Sequence, residues 1–340
     1  MKITKVLFLT LAATTMAACS NDKETDITGG KKDLVIKFNL PQQADTRAVE
    51  DPVANNATPT LENVTLTFDG GTPDVTLDAA TLAAGNVKVQ VNEATNNVTK
   101  MIANTSADIN LADINSFQGK SLITAIPLYA GSTAITKGAE NSVTLSPKAY
   151  VARMEILNGN SITPTSNKYS DIYVTGVYVN NFYTKIDSEG SSTGNTAQKT
   201  SEGDWATYYS SSTASNKMYN EGITTANWTS KCAGYQIFPA STAATLPEIT
   251  LKLSYTKESS SGQTGYLTIR KFKKGTADLT AMEAGKIYKL DVSSIGSLFK
   301  EDGGGTPVDP VDPTPGKPKT DLAITVTVTA WAAESITPNL

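Results

Sequence analysis

Hydrophobic and polar positions alternate along this chain in short runs, and the cleanest alternation lies near its C-terminal end. Residues 321–331 read DLAITVTVTAW. Leu322, Ile324, Val326 and Val328 share one face; Ala323, Thr325, Thr327, Thr329 and Trp331 share the other. A period of two in β-branched residues predicts a strand with one buried face. The stretch before it, GGGTPVDPVDPTPGKPK at 303–319, reads as a Gly/Pro tether that neither packs nor continues a sheet. An unpaired strand on a tether is an aggregation hazard unless something receives it. A second alternating run, LVIKFNL at 34–40, offers Leu34, Ile36, Phe38 and Leu40 at the same spacing, with Val35, Lys37 and Asn39 on its other face. The two segments present four apolar side chains each and fit the same kind of groove.

Between them the pattern predicts many short strands. Val64, Leu66 and Phe68 alternate and stop at Asp69-Gly70-Gly71, a turn signal. Val75 with Leu77, then Val87, Val89 and Val91, then Val98 to Ile102 follow. Leu122 to Tyr129 and Val143 to Leu145 read as further strands. The best helical stretch is Ser106 to Phe117, with Ser106 as N-cap, Asp108 in the first turn and Leu111, Ile114 and Phe117 on one face. From Pro147 a second unit begins. Tyr150 to Leu157, Ile172 to Tyr183, Tyr235 to Phe238, Ile249 to Tyr255, Tyr266 to Phe272 and Ile287 to Val292 are its expected strands. Residues 187–230 read as a polar surface excursion carrying Trp205, Tyr208, Tyr209, Tyr219 and Trp228. The expected fold is all-β with one short helix: two tandem β-sandwich domains plus a tethered C-terminal strand.

Composition narrows the function. The 340 residues suffice for two domains, and a net charge of −4 argues against nucleic-acid partners. The chain has no histidine, which removes histidine acid–base catalysis, Ser–His and Cys–His pairs and histidine metal ligands. With only two cysteines, Cys19 and Cys232, neither a disulfide framework nor a cysteine zinc site is expected, and Cys232 reads as a small buried thiol. No motif selects a catalytic pair, so no enzymatic activity, cofactor or metal is assigned. The Asp/Pro tether has no calcium-ligand loop. Lys2 and Lys5 precede an apolar run from Val6 to Met16 that is too short to span a membrane. Ala17-Ala18-Cys19 then reads as a lipobox, with 1–18 a lipoprotein signal peptide and Cys19 acylated, although Met16 stands where a Leu is usual. Acyl chains at Cys19 would anchor a precursor stably to a membrane. Arginine occurs three times, at 47, 153 and 270. Arg153 and Arg270 fall in expected strands. Arg47 lies in a polar stretch, QQADTRAVED, of the kind where nicking concentrates.

In this order, the features resemble the fimbrillins, the FimA-type and Mfa-type subunits known as type V pilins. The resemblance spans nearly the whole chain: the lipobox at Cys19, the alternating strand, the lone Arg47, Met101-Ile102-Ala103-Asn104-Thr105, Val151-Ala152-Arg153-Met154, Gly285-Lys286-Ile287-Tyr288-Lys289-Leu290, the Asp/Pro-rich tether and the TVTVTAW ending. It implies transthyretin-like sandwiches at 48–146 and 147–300, a propeptide at 19–47 with a placeholder strand at 34–40, a tether at 301–320 and a donor strand at 321–340. It also implies assembly by strand exchange. An Arg-specific, trypsin-like protease cuts the Arg47–Ala48 bond, releasing lipid and placeholder (Leu34, Ile36, Phe38, Leu40). The vacated groove accepts the C-terminal strand (Leu322, Ile324, Val326, Val328, Trp331) of another copy or of a related fimbrial subunit. The result is a fimbrium on the cell surface, with the precursor an outer-membrane lipoprotein.

Insertion of that kind is a known recognition mode, and a strand given to a neighbour builds an open filament. The alternative function is a surface glycan-binding lipoprotein or adhesin that never polymerises, using aromatic residues between Trp205 and Trp228. The alternative for the C-terminal strand is self-insertion as the last strand of its own domain. In a chain that still carries its propeptide, Leu34–Leu40 is expected in the groove of the first domain and the C-terminal strand loosely placed.

Overall fold

A computed structural model describes residues 30–41, 61–83, 87–105, 126–160, 162–187, 190–192, 197–198, 218–229, 232–313, 323–330 and 333–335. The N-terminal half contributes β1 (Lys31–Pro41), β2 (Asn63–Phe68), β3 (Val75–Asp78), β4 (Val87–Asn92), β5 (Asn97–Ala103), β6 (Leu128–Ala130), β7 (Thr133–Ala134), β8 (Asn141–Leu145) and β9 (Lys148–Ala149). The C-terminal half contributes β10 (Ala152–Leu157), β11 (Tyr169–Asn180), β12 (Phe182–Tyr183), β13 (Ala197–Gln198), β14 (Met218–Glu221), β15 (Cys232–Ile237), β16 (Glu248–Lys257), β17 (Ser260–Ile269), β18 (Lys271–Lys274), β19 (Ala277–Asp278), β20 (Lys286–Asp291), β21 (Ala323–Ala330) and β22 (Ala333–Ser335).

The fold is an all-β sandwich architecture. In the N-terminal half one sheet is β4–β1–β8 and the other is β3–β2–β5–β6–β9, with β7 also on β5. In the C-terminal half the sheets are β15–β10–β20–β21–β18–β19 and β14–β11–β16–β17, with β12 and β13 forming a small pair. The alternation that predicts these strands is the alternation of burial. Val64, Leu66 and Phe68 of β2 and Val87, Val89 and Val91 of β4 point into the core, while the residues between them are partly or fully exposed. The turn after β2 falls where it was expected. Gly70 has φ 64°, and a side chain there would lie 2.6 Å from the Ala94–Thr95 backbone, so the chain turns against its neighbour at a residue without Cβ. Asn104 ends β5 with φ 59°. Its side-chain amide donates to Ile126 O (3.1 Å), and its carbonyl oxygen accepts from Glu62 N (2.9 Å).

Several expectations need correction. Tyr266 to Phe272 is not one strand: β17 ends at Ile269, and β18 starts at Lys271 in the other sheet of the half. Arg270 is the single link between them and is not inside a strand. Its Nε lies 3.4 Å from Glu248 Oε1, and its side chain is partly exposed. The short helix α1 (Ala79–Ala83) was not anticipated, and the helix expected at Ser106–Phe117 lies outside the described residues. Trp228, one of the aromatics the glycan-binding alternative would use, is packed inside the fold. Its indole N–H donates to Val174 O at 2.9 Å. Cys232 is buried, as expected.

The tether is the largest departure. Residues 301–312 pack on the C-terminal half. Val311 is buried in a notch left by Gly265, where a Cβ would lie 2.3 Å from a Val311 methyl. Tyr266 and Asp312 exchange two backbone hydrogen bonds of 2.8 and 2.9 Å, and the Tyr169 hydroxyl donates to Val308 O at 2.8 Å. Asp302 caps the turn at its start by accepting from Gly304 N and Thr306 N. Proline bars a continuous ladder but not isolated bridges through the residues between prolines, and that is how this segment is held.

Candidate functional site: two slots closed by the terminal strands

β1 lies between two walls. It runs antiparallel to β4, with six register pairs from Lys31↔Asn92 to Ile36↔Val87. It runs parallel to β8, with five pairs from Leu34↔Asn141 to Phe38↔Leu145. Residues 34–36 are therefore paired on both edges. Among the described residues β4 and β8 share no pairing of their own, so β1 is what makes them one sheet. Leu34, Ile36, Phe38 and Leu40 are all buried in the core, the face expected of them.

Val35 is buried too, which its place on the expected outer face did not suggest. The register explains it. Val35 is the cross-strand partner of Lys88, and cross-strand partners share a face. From there Lys88 reaches Glu140, just before β8, with 2.8 Å between Nζ and Oε1. An ion pair thus spans the two walls on the outer side of β1, and the Glu140 carboxylate raises the Lys88 pKa. The strand is fixed at its start by the Lys32 ammonium, which donates to Glu93 O (3.0 Å) and Thr95 O (2.7 Å), and by Glu93 N donating to Gly30 O (2.7 Å). Asn141 Nδ2 donates to Asp33 O at 3.3 Å, and the Gln90 amide donates to the Asp33 carboxylate.

The C-terminal strand is not loosely placed. β21 sits in its own chain, antiparallel to β20 and parallel to β18, the same pair of relations that β1 has to β4 and β8. This is the self-inserted alternative, and Val326 is buried in it. An alternating apolar strand gains burial and ladder bonds by folding back, and leaving it exposed would forfeit both. The seat is nevertheless thinner than that of β1. Among the described residues, 326–330 pair with β20 (five pairs) and 323–325 with β18 (three), and none of them is paired on both edges. Ile324 and Val328 stand opposite Phe272 and Tyr288 in the register. The chain then crosses to the other half. β22 pairs antiparallel with the end of β1, Asn39↔Ser335, Leu40↔Glu334 and Pro41↔Ala333. Among the described residues this is the only strand pairing that joins the two halves.

Beside the second slot lies a buried ion pair. Arg153 and Glu155 alternate with the core residues Met154 and Ile156 of β10, so they occupy its other face. Arg153 Nε donates to Glu155 Oε1 at 2.7 Å, and Lys289 of β20 stands 4.0 Å from Oε2. Arg153, which sequence reading placed in a strand, is enclosed there. Cys19, Arg47, Ala48, Leu322 and Trp331 lie outside the described residues. No group of three or more metal-ligating side chains is found among the described residues.

No family model and no curated protein matches the chain. Solved structures do. A candidate cell adhesion protein from Parabacteroides distasonis superposes with a TM-score of 0.51 at 11% identity, covering 89% of this chain and 100% of that one. That likeness establishes one thing. The fold is shared. A candidate cell adhesion protein from Bacteroides eggerthii (TM-score 0.47, 15% identity, 91% and 98% covered) and a fimbrilin, FimA, from Porphyromonas gingivalis (0.48, 12%, 87% and 98%) also align over nearly their whole length.

Proposed function

We propose that this protein is a structural fimbrial subunit of the stalk, and that it polymerises by donor-strand exchange triggered by proteolysis. An Arg-specific protease cuts between Arg47 and Ala48. The N-terminal piece, anchored through lipid on Cys19 in the outer-membrane precursor, leaves with β1. The C-terminal strand of another copy, or of a related subunit, enters between β4 and β8. The observation that carries this reading is the position of β1. Among the described residues β1, the strand that precedes Arg47 in the sequence, is the sole bridge between β4 and β8. The unequal seats give the exchange a direction. Among the described residues, β1 is paired on both edges at residues 34–36, whereas each residue of β21 is paired on one edge. Sharing a fold with a candidate cell adhesion protein agrees with a place on the cell surface.

The test is the N-terminal sequence of the protein in material sheared from cells. An N-terminus at Ala48 in heat-resistant ladders is the expected result. An acylated Cys19 with no multimers overturns the reading in favour of a surface lipoprotein that does not polymerise.

A further inference from the structure

The two terminal strands touch. β1 belongs to the N-terminal sheets and β21 to the C-terminal ones, yet β22 lies on Asn39–Pro41 of β1 and only residues 331 and 332 separate it from β21. At about 3.3–3.6 Å per residue, so short a connection cannot let one strand wander while the other stays. The contact also falls just beyond the end of β21. The final residues of β21, 326–330, pair on one edge with β20, and β22 begins three residues after Ala330. Strands open from their ends, so what pins an end governs the whole segment.

We propose that β22 is a latch coupling the two terminal strands. While β1 occupies its slot, β22 holds the C-terminal segment on its own chain, and loss of β1 frees that segment to be given away. The inference rests on the proposed exchange in taking both strands as elements that move. It adds the order of events: a subunit becomes a donor only after it has become an acceptor. Linkage makes the coupling reciprocal, so the C-terminal segment must also retain the cut N-terminal piece by the same factor.

The test uses the full chain with a foreign protease site replacing residues 42–46, so that the backbone can be cut whether or not Arg47 is used in nature. Deuterium uptake at 323–330 is read at a concentration where the protein is monomeric: uncut, cut with the piece retained, and after the piece has dissociated. Uptake should accelerate by about 5- to 150-fold, the usual span of such couplings, and only at the last stage. A chain ending at Ala332 should show the fast uptake before any cut and should lose the cut piece faster, by up to the same factor. Glu334→Pro, which removes one backbone donor of β22, should act in the same direction and serves if the shortened chain does not fold. Equal uptake before and after dissociation, or an unchanged rate of loss without β22, overturns the latch. Ladder formation at higher concentration is read in parallel. Ladders with unchanged uptake refute the latch alone, and coupled uptake without ladders supports the latch while refuting the exchange.

Discussion

Leu34 is where the first strand is most completely enclosed. Its side chain is fully buried, and its backbone stands opposite Val89 of β4 on one edge and Asn141 of β8 on the other. Leu34→Ala leaves the ladder intact and removes core packing at one point. Fully buried leucine-to-alanine changes cost about 2–5 kcal/mol, the larger values applying where the surroundings cannot collapse. A site between two paired edges has little freedom to collapse. Once the backbone beyond Pro41 has been cut, that loss falls on the affinity of the N-terminal piece for the rest of the protein. At 1.4 kcal/mol per tenfold it corresponds to release that is about 30- to 4,000-fold easier. The assay is retention of a fluorescently labelled N-terminal piece during size exclusion at a series of dilutions. Lys31→Ala, at an exposed position of the same strand, is the control and should change stability by less than about 0.5 kcal/mol. If Leu34→Ala releases the piece no faster than Lys31→Ala, β1 is not held by its apolar face and the argument from its burial fails.

Two other changes test the frame around the slots. Glu155→Gln removes the carboxylate facing the buried Arg153 and should destabilise the C-terminal half by about 3–5 kcal/mol in urea unfolding, whereas Arg153→Met with Glu155→Leu together should cost less. Burial pushes the Asp69 carboxyl pKa up, but hydrogen bonds from the Asn97 side chain and from the Asn97 and Asn96 backbone N–H groups outweigh it and hold it below 3.8. A depressed folded-state pKa stabilises above the unfolded value, and that contribution is lost as pH falls through the folded one. Asp69→Asn should therefore be less stable than the parent at pH 7. The gap in melting temperature should close below about pH 4, and a gap constant from pH 7 to pH 3 would refute the assignment.

The sequence was most legible where one face of a strand is buried and the other wet. β2, β4 and β8 follow their alternation nearly residue for residue, because the period of burial is the period of the strand. It was least legible where burial is decided by a distant partner. Val35 sits on the outer face by periodicity and is buried because Lys88 stands beside it and reaches across to Glu140. The apolar run from Tyr266 to Phe272 carries no sign that the chain changes sheets at Arg270. Leu34, Ile36, Phe38 and Leu40 are buried on the face their spacing suggested. That same spacing is shared by the C-terminal strand, so local pattern could not say which slot each would fill. The docking of Val311 against Gly265 was hidden because a proline-rich stretch advertises only what it cannot do. The site residues Cys19, Arg47 and Ala48 rest on the sequence alone.

The docked segment ending at Asp312 makes the C-terminal arm a ruler. With Val311 in its notch, the eleven peptide steps from Asp312 to Ala323 reach at most about 36–40 Å fully extended. Under the proposed exchange, the groove of the next copy must open within that radius of the Gly265 notch. A fibre built this way has its axial spacing bounded by a valine and a missing side chain.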